Sequence, residues 1–187
     1  MKAMGHPDPK QAADLVATLS DGDKAVSIFD MGCGTGMCGE ELHKLGFKNV
    51  VGCDASQGMV DKTAEKKVYS EVFKLFLGKP EEFPEELKDR FDFMTGTGIL
   101  AEGHLIGGAI FEEMLLTLKK NGFAIFTTRD EYMTKYGYEE AIKLLVDAGK
   151  WKKVHDSTFV RYHNIDEGQS IGRFKPKEVR MFAYQKL

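Results

Sequence analysis

A chain of 187 residues, 42% hydrophobic and 29% charged, suits one compact domain (1–187) with a sizeable core. The net charge of −3 supplies no broad basic field to gather phosphates, so no nucleic-acid partner is expected and a small-molecule or protein substrate is favoured. No apolar run reaches the roughly 18 residues of a membrane span and the start has no secretory pattern, so the expected setting is cytoplasmic, with no membrane partner.

The polar lead-in MKAMGHPDPK (1–10) reads as flexible, and QAADLVATL from Gln11 as a short amphipathic helix. Residues 26–31 are β-branched and apolar, a first strand; a helix over 36–45 follows, with Met37, Leu42 and Leu45 inward and Gly46 as its stop. NVVGCD is the second strand, and SQGMVDKTAEKK opens a helix on Ser56 as N-cap. A third strand covers 71–77, the charged segment GKPEEFPEELKDR crosses the surface, and FDFMTG is the fourth strand. AIFEEMLLTLKK (109–120) has helical spacing, Asn121-Gly122 ends it, and FAIFTT is the fifth strand. A helix over 138–148 points Ile142, Leu144, Leu145 and Ala148 at the core, with Gly149 as its stop. KKVHDSTFVRYH and EVRMFAYQKL read as an antiparallel hairpin on the sheet edge, joined by the long loop NIDEGQSIGRFKPK. The alternation predicts an α/β, doubly wound, mostly parallel sheet whose ligand lies beyond the carboxyl ends of the strands.

The stretch DMGCGTGMCG (30–39) occupies that place, and two nucleotide-binding fingerprints overlap in it. From Gly32 it is G-x-G-x-G with an acid two residues upstream; from Gly34 it is G-x-G-x-x-G, the dinucleotide pattern. A carboxylate at Asp30 repels a pyrophosphate seated at the helix N-terminus and attracts a ligand bearing an ammonium and a sulfonium. S-adenosylmethionine is such a ligand. Asp54, ending the second strand, can accept both ribose hydroxyls under either reading, and Gly39 is then a small residue where helix packs on sheet. Cys33, Cys38 and Cys53 form a sparse, odd set without C-x-x-C spacing, so they read as packing residues and no metal is expected.

FDMGCGTG, VVGCDAS with Gly58-Met59, FDFMTGTGIL and LLTLKKNGFAIFTT resemble, in order over about 26–128, the signature segments of class I S-adenosylmethionine-dependent methyltransferases. YSEVFKLFLGKPEEFP, GILAEGH, TTRDEY and YEEAIKLLVDAGKWKKV are similar to the methyltransferase-like proteins named after the Williams–Beuren chromosomal region. The resemblance implies a Rossmann-like sheet of seven strands with an antiparallel C-terminal strand, S-adenosyl-L-methionine as cofactor and S-adenosyl-L-homocysteine as product. Carried over by position, Asp30, Gly32, Gly34 and Gly36 form the methionine-side cradle, with backbone contacts from Cys33 and Thr35. Asp54 holds the ribose, Ala55 and Met59 line the adenine, and Thr97 touches the methionine portion. Many members carry an acid after the third strand; this chain has Gly78 and Lys79, so backbone and apolar contacts hold the adenine there.

Methyl transfer from a sulfonium displaces an already activated group, so the protein's main task is alignment and exclusion of water. For an acceptor that must lose a proton, His104 in AEGHLIG is the best-placed catalytic base by motif; the alternative is a loop histidine with a structural hydrogen bond. Arg129, just past the fifth strand, could hold an anionic substrate, or cap a helix or make a surface ion pair. TGTG after the fourth strand is not the Asp/Asn-Pro-Pro-Tyr/Phe loop of base methylation, and Glu102 has no second glutamate for gripping a guanidinium, so a small-molecule acceptor ranks first and a protein side chain second. A methyltransferase is the leading expectation. A non-catalytic module that binds the cofactor or its product, and a nicotinamide-dependent oxidoreductase, are the alternatives.

Overall fold

The computed structural model describes residues 6–103, 105, 107–161 and 177–187. Seven strands, β1 (Ile28–Met31), β2 (Val50–Asp54), β3 (Glu71–Lys74), β4 (Phe91–Leu100), β5 (Leu118–Thr128), β6 (Trp151–Arg161) and β7 (Lys177–Lys186), form one sheet in the order β3-β2-β1-β4-β5-β7-β6. The first five pair in parallel; β7 runs antiparallel to both β5 and β6. The terminal hairpin is present as expected, with its second strand inserted next to β5. The helices are α1 (Asp8–Leu19), α2 (Met37–Lys44), α3 (Gln57–Glu65), α4 (Ala109–Thr117), α5 (Asp130–Lys135) and α6 (Tyr138–Asp147).

Strand alternation assigns the two faces. Ile28, Val50, Phe93, Ile125 and Met181 point at Ala12, Val16 and Leu42 of α1 and α2. Phe29, Val51, Met94 and Phe126 point at Phe111 and Met114 of α4 and Ile142 and Leu145 of α6. Trp151 closes this second layer, stacked on Tyr184 at 4.5 Å between centroids. Strands covered on both faces read as continuous apolar runs, which is why their sequences carry little polar alternation.

Several local readings are corrected. Residues 8–10, expected to be flexible, are helical: Asp8 is buried and begins α1. Met37 and Leu144 face solvent, at 44% and 63% exposure, while Cys38 and Gly39 take the inward positions of α2. The third strand stops at Lys74, three residues short of Leu77. The helix expected over 109–120 ends at Thr117, since Leu118 already pairs with Phe91 of β4. Asn121-Gly122 therefore sits within β5, Asn121 in the left-handed region (φ +67°), where the register with β4 slips. The six-residue α5 has too little periodicity to be read from sequence. His104 and the loop 162–176 lie outside the described residues.

Candidate functional site

The chain reverses strand order between β1 and β4, the place where an open α/β sheet leaves a crevice. A cavity of about 660 Å³ opens there, bounded by Gly32 and Gly34 after β1, Asp54 at the end of β2, and Thr97, Gly98 and Ile99 of β4. Gly32, Gly34 and Gly36 all have positive φ, at +64°, +55° and +79°. The conformation suits glycine, and at Gly32 space demands it too: an added Cβ would lie 2.3 Å from Ile99 Cγ2. At Gly34 an added Cβ would meet nothing within 4 Å, so the backbone is open to close approach by a ligand.

Asp54 stands at the mouth of this loop. Its Oδ2 accepts the Gly34 N–H at 3.0 Å and its Oδ1 the Ser56 N–H at 2.9 Å. Ser56 occupies the N-cap position of α3 without a side-chain cap bond. Ala55 and Met59 line the same cavity, joined by Leu75, Phe76, Leu77 and Leu105. The apolar members 75–77, expected as the end of the third strand, lie past it, because β3 ends at Lys74, and line the cavity. Phe76 remains 68% exposed at the rim.

A smaller cavity of about 240 Å³ lies on the other side of the glycine loop and shares Gly32, Gly34, Thr97 and Gly98 with the larger one. Cys33 and Thr35 line it, with Met37, His6, Asp8 and Arg161. Asp8 accepts Arg161 Nε at 2.9 Å and is also bonded by Arg161 Nη2 and, at 2.9 Å, the Thr127 hydroxyl. Thr127 in turn accepts the Gly98 N–H at 3.2 Å, so α1, β6, β5 and the tip of β4 meet at one carboxylate. Burial and the Arg161 charge hold the His6 imidazole below its ordinary pKa.

Five of the predicted site residues, Asp30, Gly36, Gly78, Lys79 and Arg129, line neither cavity. Asp30 shares the face of Ile28, under α2, and is 1% exposed. Its Oδ1 accepts the Thr95 hydroxyl at 2.8 Å and its Oδ2 the Tyr69 hydroxyl at 2.6 Å. Desolvation outweighs these bonds and raises its carboxyl to about 6. The backbone N–H groups of Gly78 and Lys79 point at the buried Glu113 of α4, each at 2.8 Å, and the Lys79 ammonium pairs with exposed Glu82. Arg129 is the N-cap residue of α5 and donates to the Tyr132 hydroxyl at 2.9 Å and to Glu131 at 3.3 Å. Cys33, Cys38 and Cys53 are free and buried; burial pushes the Cys33 thiol up to about 12 and the other two well up. Among the described residues no group of three or more His, Cys, Asp or Glu side chains could hold a metal ion, and no helix is long and apolar enough to cross a membrane.

The family described as methyltransferase domain matches residues 28–122, the segment carrying β1 to β4 and the glycine loop. The chain belongs to the class I S-adenosylmethionine-dependent methyltransferases. Among curated relatives of this methyltransferase domain, human methyltransferase-like protein 27 is 31% identical over 77% of the chain and 59% of its own length. The ubiquinone biosynthesis O-methyltransferase of Pelagibacter ubique is 31% identical over 70% of the chain and 55% of its own. The chain thus spans under two thirds of either relative. The N-methyltransferase NodS of Bradyrhizobium japonicum shares the fold, with a TM-score of 0.65, 15% identity and 97% of each chain covered. So does magnesium protoporphyrin IX methyltransferase of Synechocystis, solved with S-adenosylhomocysteine, with a TM-score of 0.62, 16% identity and 95% and 83% of the chains covered.

The larger cavity fits the family's cofactor by its own chemistry. The backbone is bare at Gly34, the wall formed by Ala55, Met59, Leu75 and Leu77 is apolar, and among the described lining residues Asp54 carries the sole charge. Asp54 can serve the ribose of either an adenosylmethionine or a dinucleotide; what separates the two is the N-terminus of α2, where the Gly39 N–H, which a phosphate would use, already donates to the Tyr69 hydroxyl at 3.0 Å.

Proposed function

We propose that this domain transfers the methyl group of S-adenosylmethionine to a small-molecule acceptor in the cytoplasm. The observation that carries the reading is the pair of cavities divided by the glycine loop and Thr97, one large enough for the cofactor and the other for a compact acceptor. Bound in the larger cavity, the cofactor supplies a methyl group already activated on sulfur. Asp54 would accept the ribose hydroxyls, Ala55, Met59, Leu75 and Leu77 would wall the purine, and the bare backbone at Gly34, next to the tightly packed Gly32, would receive the methionine portion. Thr97 faces both cavities and lines up the acceptor atom from the far side. For an acceptor that loses a proton, His104, following β4, is the proposed base. The three buried free thiols suit a reducing compartment.

The test combines calorimetry with transfer. Adenosylmethionine and adenosylhomocysteine are expected to bind and NAD not to; the reverse would sink the cofactor assignment in favour of a nicotinamide enzyme. Radiolabelled methyl is expected in the small-molecule fraction of a metabolite extract. Label confined to protein or RNA would overturn the acceptor class, and binding without any transfer would leave a cofactor-binding module.

A further inference from the structure

One aromatic side chain outside both cavities is built into the underside of the glycine loop. Tyr69, just before β3, lies with its ring against glycines from three places in the fold. An added Cβ at Gly39 of α2 would come within 2.2 Å of the ring, one at Gly52 of β2 within 2.9 Å, and one at Gly36 within 3.3 Å. Three glycines thus leave the space that one ring fills. The Gly39 of the dinucleotide-like pattern is accounted for by this ring.

The hydroxyl is equally committed. It donates to Asp30 Oδ2 at 2.6 Å and accepts the Gly39 N–H at 3.0 Å. Gly39 is the third residue of α2, whose N-cap is Gly36 in the left-handed region and has no side chain to accept a first-turn N–H. The Tyr69 oxygen serves as that cap from outside the helix. Asp30 is the penultimate residue of β1 and Gly39 lies in the first turn of α2, so a single oxygen ties together the two elements that flank the loop 32–36. Asp30 is anchored in turn to Thr95 of β4 at 2.8 Å.

We infer that Tyr69 is a positioning residue for the cofactor: through Asp30 and Gly39 it sets the spacing of the loop ends and so the shape of the seat at Gly32 and Gly34. This rests on the cofactor reading above. It gives Asp30 a part in binding that requires no contact with the ligand.

The experiment measures adenosylhomocysteine affinity by calorimetry at a temperature where all variants are folded. Tyr69→Phe keeps the ring and removes the hydroxyl; affinity is expected to fall about tenfold, as for a lost bond to a charged group. Gly39→Ala, which displaces the ring, is expected to give a comparable loss. Phe47→Leu, a core change beneath α2 with a similar drop in Tm, is expected to leave affinity unchanged. In a cycle with Asp30→Asn, the Tyr69→Phe loss is expected to shrink, since one acts through the other. Wild-type affinity in Tyr69→Phe, or a loss in Phe47→Leu equal to that in Tyr69→Phe, overturns the inference. No binding by the wild-type chain would instead refute the cofactor reading itself.

Discussion

Asp54 and Gly34, twenty residues apart, are joined by a hydrogen bond of 3.0 Å from the Gly34 N–H to Oδ2, so the carboxylate proposed to hold the ribose also holds the loop beside it. Asp54→Ala removes both functions and is expected to weaken adenosylhomocysteine binding by about 2–3 kcal/mol, upward of thirtyfold by calorimetry. Asp54→Asn keeps one acceptor for the loop and is expected to lose less.

Asp30 allows a test in which stability and pH are read together. Its carboxyl sits at about 6 in the folded chain against an ordinary 3.8, because it is buried. Between those values the folded state retains a proton that the unfolded state has released, so the contribution is sign-determined. Ionised Asp30 costs stability above about pH 6, and the cost fades as pH falls through 6 toward 4. Asp30→Asn, which keeps an acceptor for only one of the two hydroxyls, is therefore expected to gain stability relative to the parent chain by about 1–2 kcal/mol between pH 5 and pH 8. Urea titrations at the two pH values check it.

Gly32 combines a positive φ of 64° with the approach of Ile99. Gly32→Ala is expected to cost about 1–3 kcal/mol of stability and most of the cofactor affinity. Adding Ile99→Ala relieves the clash and leaves the backbone strain, so the double variant is expected to recover part of the loss. Thermal melts and calorimetry on the two variants separate the contributions.

Arg129 donates to Tyr132 and Glu131 and lines neither cavity. Arg129→Ala is expected to lower stability by about 1 kcal/mol, from the lost hydrogen bond and the contact over the Tyr132 ring, 5.2 Å from its centroid. Adenosylhomocysteine affinity is expected to stay within about twofold.

The architecture was legible because apolar runs, glycine stops and charged connections alternate over most of the chain, and the terminal runs lacked helical spacing. The end of β2 at Asp54 followed from the same pattern. The direction of Asp30 did not: a strand buried on both faces gives no polar alternation to say which way a given side chain points. Its neighbours across space, Tyr69 and Thr95, lie 39 and 65 residues away in sequence. The signal that could have found Tyr69 is the trio of glycines on three elements, which becomes informative once the elements are assembled. The composition of residues 75–77 suits a strand, yet β2 offers β3 partners no further than Asp54. Asp8 and Arg161 are 153 residues apart, and neither stood out by motif.

The insertion of β7 between β5 and β6 has a consequence for the order of events on the ribosome. Residues 123–128 of β5 take their second neighbour from 180–185, which are made more than fifty residues later. Until those residues emerge, β5 carries an open edge of unpaired backbone at the border of an otherwise parallel sheet. Such an edge accepts any available strand, including the equivalent one of a neighbouring nascent chain. The interval between the synthesis of residues 123–128 and that of residues 180–185 therefore sets how long the half-built sheet is vulnerable, and β7 shields it against mispairing once in place.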